Sequence, residues 1–136
     1  MITLQDIIEE HNIKDYAIWS RENIIDDLLK NLRKAKYVEQ IDYWYDDEEN
    51  PTLNTWCDIE GIGYGWIWCA TELRAKCKWL QVRAVKKYIK NCLKELRDDE
   101  QIMEYWTKSG DHCYDYLVNE RHYTAIILSD EELYWL

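Results

Sequence analysis

A chain of 136 residues with 47% hydrophobic content, 4 Gly and 1 Pro is long enough to bury a core and too apolar to be disordered. Its formal charge of -10 opposes general binding to nucleic acid or to anionic membranes. Eight Trp and 11 Tyr with no Phe leave nearly every aromatic with a polar tip, which suits half-buried and interface positions.

The start, "MITLQDIIEEHN", has neither a basic n-region nor a long apolar run, so no signal peptide is expected. No apolar run approaches the roughly 20 residues a membrane span needs. The five cysteines (57, 69, 77, 92 and 113) have irregular spacing and do not suggest a disulfide framework. Reduced thiols packed as small apolar groups, in a cytoplasmic compartment of the producing or host cell, are the expectation.

Thr3 has the character of an N-cap with Asp6 as its capping-box partner, and Leu4, Ile7 and Ile8 give a short helix ending near His11–Asn12. A second helix begins at Ser20 and carries Ile24, Ile25, Leu28, Leu29, Leu32 and Ala35 on one face. Its acids lie early and its bases late, which complements the helix dipole. Residues 37–69 read as an antiparallel meander: "YVEQIDYWY", the turn "DDEENP", "TLNTWCDIE" and "GIGYGWIWCA". Residues 71–97 read as one long amphipathic helix, although "LRAKCKWLQV" also alternates as a strand would. "DDEQIMEYWTKSG" reads as a further short helix stopped at Gly110, and "HCYDYLV" and "HYTAIIL" as a hairpin around "NER". Ser129 and Glu132 suggest a last helical turn. The expected fold is one α+β domain over residues 1–136, with N-terminal helices, a β-meander, a long helix and a C-terminal hairpin.

The charge is segregated. Nine of the 17 basic residues lie between 73 and 97 with Glu95 as the only acid, which leaves eight basic against 26 acidic residues elsewhere. The bland explanation is a basic solvent face on one helix balanced by acids elsewhere. The sharper one is an acidic surface for a basic partner, with carboxylates standing in for phosphates. Its candidates are Asp42, Asp46, Asp47, Glu48 and Glu49, then Asp98, Asp99, Glu100 and Glu104, then Asp130, Glu131 and Glu132. Tyr43, Trp44 and Tyr45 stand among the first group, and aromatics beside carboxylates offer a basic groove both cation–π faces and ion pairs. Alternation turns one of the three away from the other two, so part of this stretch is expected in the core.

Other chemistry is weaker. "GIGYG" lacks dinucleotide-loop spacing and its glycines fit a strand or bulge. His112, Cys113 and His122 converge if the hairpin forms, but no ligand spacing supports a metal or a Cys–His nucleophile, and packing is the expected role. Lys86, Lys87, Lys90 and Lys94 form a basic helical face without aromatic stacking partners, a poor RNA platform. Tyr64, Trp66 and Trp68 share a strand face, which could line a ligand pocket and more often is core.

No catalytic residue, metal or cofactor is therefore expected. The profile is similar in general character to small protein inhibitors such as phage anti-defence (anti-CRISPR) proteins and nuclease immunity proteins, a likeness of composition alone. It implies a non-enzymatic inhibitor of a basic nuclease or nucleoprotein complex, touching neither nucleic acid nor membrane directly. An assembly subunit acting through homo-oligomerisation and a small-ligand domain are the alternatives, with monomer and homodimer both open.

Overall fold

The computed structural model describes residues 2–36, 38–43, 56–59, 63–66 and 79–129, with side chains described at all but 41–43, 56–59, 63–66, 79–82 and 84. The chain runs α1 (Leu4–Glu10), β1 (Tyr16–Ser20), α2 (Arg21–Lys34), β2 (Val38–Tyr43), β3 (Trp56–Ile59), β4 (Gly63–Trp66), α3 (Trp79–Lys94), β5 (Gln101–Trp106), β6 (His112–Val118) and β7 (Arg121–Ile127). It is an α+β protein. A five-stranded antiparallel sheet has the order β1-β5-β6-β7-β2, and β3 pairs with β4 in a second, two-stranded sheet.

Local chemistry sets the helix ends. Asp6 N–H donates to Thr3 Oγ1 at 3.2 Å and Thr3 N–H donates to Asp6 Oδ2 at 2.9 Å, a reciprocal capping box. At the other end Asn12 takes a left-handed φ of 53°, and Ile13 N–H returns to the Ile8 carbonyl at 3.0 Å. This closure satisfies a terminal carbonyl and seats Ile13 against the α1 cluster. Ser20 precedes α2 but makes no side-chain cap bond. The first amides of α2 are satisfied from elsewhere in the fold: Arg21 N–H by the Glu100 carbonyl at 2.7 Å and Glu22 N–H by the Asp98 carbonyl at 3.1 Å.

Strand alternation divides the sheet into two interiors. Ile102, Tyr114, Tyr116, Val118, Ala125 and Val38 pack against Ile24, Leu28 and Leu32 of α2 and Val85, Ile89 and Leu93 of α3. On the opposite face Met103 meets Leu4, Ile7 and Ile8 of α1, with Tyr105 and Leu117 beside them. The helix α3 also closes α2. Lys86 Nζ donates to the carbonyls of Arg33 and Ala35, the last orphan acceptors of that helix.

The sheet departs from the sequence expectation in three places. Residues 101–106, read as part of a short helix, form strand β5 instead. Both of its faces are covered, so Ile102 and Met103 are both fully buried and the period-2 signal is lost. Strand β1 was not anticipated, because its apolar residues are exposed and the stretch is only five residues long. Residues 38–66 do not form one meander, since β2 joins the main sheet beside β7 while β3 and β4 pair with each other. The consecutive antiparallel run is β5-β6-β7. The expected helix start at 71–78 and the last helical turn lie outside the described residues. Among the described residues no helix is long and apolar enough to cross a membrane.

Candidate partner-binding surface

The register brings Asp42, the one described member of the first acidic group, to the same sheet end as Asp98, Asp99 and Glu100 of the second. Trp19 pairs with Ile102, Ile102 with Tyr116, Tyr116 with Tyr123 and Tyr123 with Asp42, one row across the whole sheet. Asp42 and Tyr43 therefore end β2 at the sheet end where β5 begins, three strand spacings of about 4.8 Å away. Asp98, Asp99 and Glu100 immediately precede β5 at that same end. Glu22 opens α2 there and Glu120 forms the β6–β7 turn, both exposed. Trp44, Tyr45, Asp46, Asp47, Glu48 and Glu49 lie outside the described residues. So do Asp130, Glu131 and Glu132. Ser129, the last described residue before them, sits at the opposite end of the sheet, its amide bonded to Asp111 Oδ1 at 2.9 Å.

The described carboxylates are accessible but locally partnered. Asp98 Oδ1 accepts from Arg21 at 3.2 Å, and Arg97 lies 3.7 Å from Asp99 and 3.3 Å from Glu100. The Asp98 and Asp99 side chains are 76% and 82% exposed, so these ion pairs are worth about 0–1 kcal/mol and leave the oxygens open to a stronger competitor. Glu100 is held more firmly, because Glu100 Oε1 also accepts the Arg97 amide at 3.1 Å.

Glu104 is not part of this surface. Its side chain is 13% exposed and points into the sheet, where Oε2 lies 2.8 Å from His112 Nε2 and Oε1 accepts from Trp19 Nε1 at 3.3 Å. Trp106 stacks on the His112 ring with centroids 4.2 Å apart and planes 13° from parallel. Tyr114 and Asn31 continue the chain, Asn31 Nδ2 donating to the Tyr114 hydroxyl at 3.0 Å. Burial pushes that hydroxyl up to about 12, with the Asn31 bond acting the other way.

The residues weighed for metal or nucleophilic chemistry do not converge. His112 and His122 face opposite sides of the sheet. His122 Nε2 lies 2.9 Å from Asp115 Oδ2 and 3.3 Å from Thr124 Oγ1, and Asp115 Oδ1 accepts from the Tyr105 hydroxyl at 3.0 Å. Asp115 and His122 are 1% and 0% exposed, beyond the reach of substrate. Burial, reinforced by the carboxylates of Asp115 and Asp111, pushes the Cys113 thiol far up, which disfavours the thiolate. Among the described residues no group of three or more His, Cys, Asp or Glu side chains could hold a metal ion. Cys113 is a free thiol.

The basic helical face is also reduced, because Lys86 is bound to the end of α2. Among the described residues, sequence reasoning missed the most exposed aromatics. Tyr16 and Trp19 on β1 and Trp106 on β5 are 41%, 40% and 58% exposed, and Ile18 is 41% exposed. The signal for Tyr16, Ile18 and Trp19 was the β-prone run "YAIW" between two helices, too short for a periodicity to show. No family model, curated protein or solved structure matches the chain.

Proposed function

We propose that the protein works by stoichiometric binding, not turnover, as a cytoplasmic inhibitor of a basic nucleic-acid-handling protein. The acidic sheet end would occupy a groove that otherwise holds phosphates, as in the anti-CRISPR and nuclease-immunity inhibitors that the composition resembles. The observation that carries this reading is the cross-sheet row that sets Asp42 and Tyr43 at the same end as Asp98, Asp99 and Glu100. Residues more than 50 positions apart in the sequence thereby end at one side of the sheet, where the Asp98 and Asp99 side chains are 76% and 82% exposed. Such clustering raises association rates through long-range steering and gives the contact its dependence on salt.

The test begins with a tagged pull-down from the source or host cell, eluted by a salt gradient. A near-stoichiometric basic protein that DNA or RNA displaces is the expected catch. Its association rate is then measured by stopped flow against D98N/D99N and against D46N/D47N/E48Q/E49Q. Each variant should slow association by about tenfold at low salt and flatten the salt dependence. A recovered partner whose rates ignore both variants would exclude the acidic end as its site.

A further inference from the structure

We propose that β1 is the interface of a two-fold symmetric homodimer, in which it pairs antiparallel with β1 of a second copy about Ile18. Among the described residues β1 has a strand neighbour on one side only, β5. An open edge of this kind normally carries charge, Pro or a bulge to prevent pairing. The segment "YAIWS" has none of them and exposes Tyr16, Ile18 and Trp19.

The hydrogen-bond phase of the edge selects the register. Arg21 N–H donates to the Glu100 carbonyl, so the 21/100 pair is hydrogen-bonded and the bonded pairs continue inward at 19/102 and 17/104. The amides and carbonyls of Tyr16, Ile18 and Ser20 therefore point away from the sheet. Pairing centred on Ile18 places those same residues opposite one another. Ile18 exchanges both its bonds with Ile18 of the second copy. The Ser20 amide donates to the Tyr16 carbonyl across the two-fold axis, while the Ser20 carbonyl remains in the first turn of α2.

Side chains agree with this register. Ala17 falls opposite Trp19 of the second copy, a small residue against a large one, and each indole leans back over its own β5 to reach Glu104. Beyond the strand, Asp15 comes opposite Arg21 and Lys14 opposite Glu22. The chain turns into α2 at Arg21, whose side chain is held by Asp98 and the Leu93 carbonyl, so Lys14 and Glu22, both exposed, are the pair that meets as opposite charges flanking the strand. Symmetric self-pairing of "KDYAIWSRE" is thus complementary in bonding, size and charge, as an isologous interface requires. The two acidic sheet ends would face opposite directions, so that each copy could hold its own partner.

The test uses the full chain and multi-angle light scattering across a concentration series, with I18K and I18E. Ile18 is exposed, and the two-fold sets position 18 against itself. Wild type should be dimeric, each variant alone monomeric, and an equimolar mixture of I18K with I18E dimeric again. A monomeric wild type would overturn the proposal. So would a dimer that survives both substitutions, or a mixture that stays monomeric. Amide exchange on the wild type reads the same point without any variant. The Ile18 and Ser20 amides should gain at least tenfold protection between dilute and concentrated protein, and equal exchange at both concentrations would sink the interface.

Discussion

The face of the sheet under α2 and α3 is filled with Ile102, Tyr116, Val118 and Ala125, whereas the face under α1 buries Cys113, Asp115, His122 and Thr124 to 2% exposure or less. The centre of the first interior is held mainly by area and close packing, which respond gradually to a change of shape, with the Glu104–His112–Tyr114–Asn31 chain beside it. The second depends on directed bonds from Tyr105 and His122 to a single carboxylate, Asp115. Losing one member of such a network strands the others, so this face should fail abruptly.

The largest test of that contrast is Asp115→Ala, which removes the acceptor of both bonds and should cost about 3–5 kcal/mol in urea unfolding. Next comes the packing face, where Ile89→Ala should cost about 2–4 kcal/mol and Ile89→Val only about 1 kcal/mol. A smaller loss from Asp115→Ala than from Ile89→Val would mean that the polar face is not organised by its carboxylate.

The α1 face should add an acid limb to the pH profile, and buried groups on both faces an alkaline one. His11, whose ring centroid is 5.8 Å from that of His122, is held below its ordinary value of 6.5 by burial and then by His122. Between the folded and unfolded values the unfolded chain binds the extra proton, so this contribution is present above pH 6.5 and is lost as pH falls through the folded value. Tyr114, on the helix face, has the opposite sense. Its contribution is intact below pH 10 and is lost as pH rises toward about 12, with the raised Cys113 thiol adding to the alkaline loss. Unfolding free energies measured across pH should therefore show an acid slope that His11→Asn flattens and an alkaline slope that Tyr114→Phe flattens.

The smallest effect is a gain. Glu120 holds a φ of 66° in the two-residue turn between β6 and β7, where a side chain costs about 1 kcal/mol over glycine. Glu120→Gly should raise stability by about that amount in the same urea titration.

Parts of this fold were legible because their signals are local. The Thr3–Asp6 box and the Ile24, Leu28 and Leu32 stripe each act within a few residues, so they fold as the sequence reads. Strand β5 was illegible because layers on both sides turn alternation into a plain apolar run. Glu104 reads as one more acid in an acidic region, and only the sheet brings it to His112, diagonally across from it beside its register partner Tyr114. The exposed Trp19 and Trp106 were hidden for the converse reason, since tryptophan in sequence signals burial as readily as contact.

By itself the sequence determined the α+β class, the Thr3 cap of α1 and the polarity of charge along the chain, because each follows from neighbours a few residues apart. The tertiary structure alone decided that β2 pairs with β7, that Asp42 stands at the same sheet end as Asp98–Glu100, and that β1 forms an edge. Strand order is set by which distant surfaces bury each other best. That choice is made across the whole chain, and no window of residues contains it.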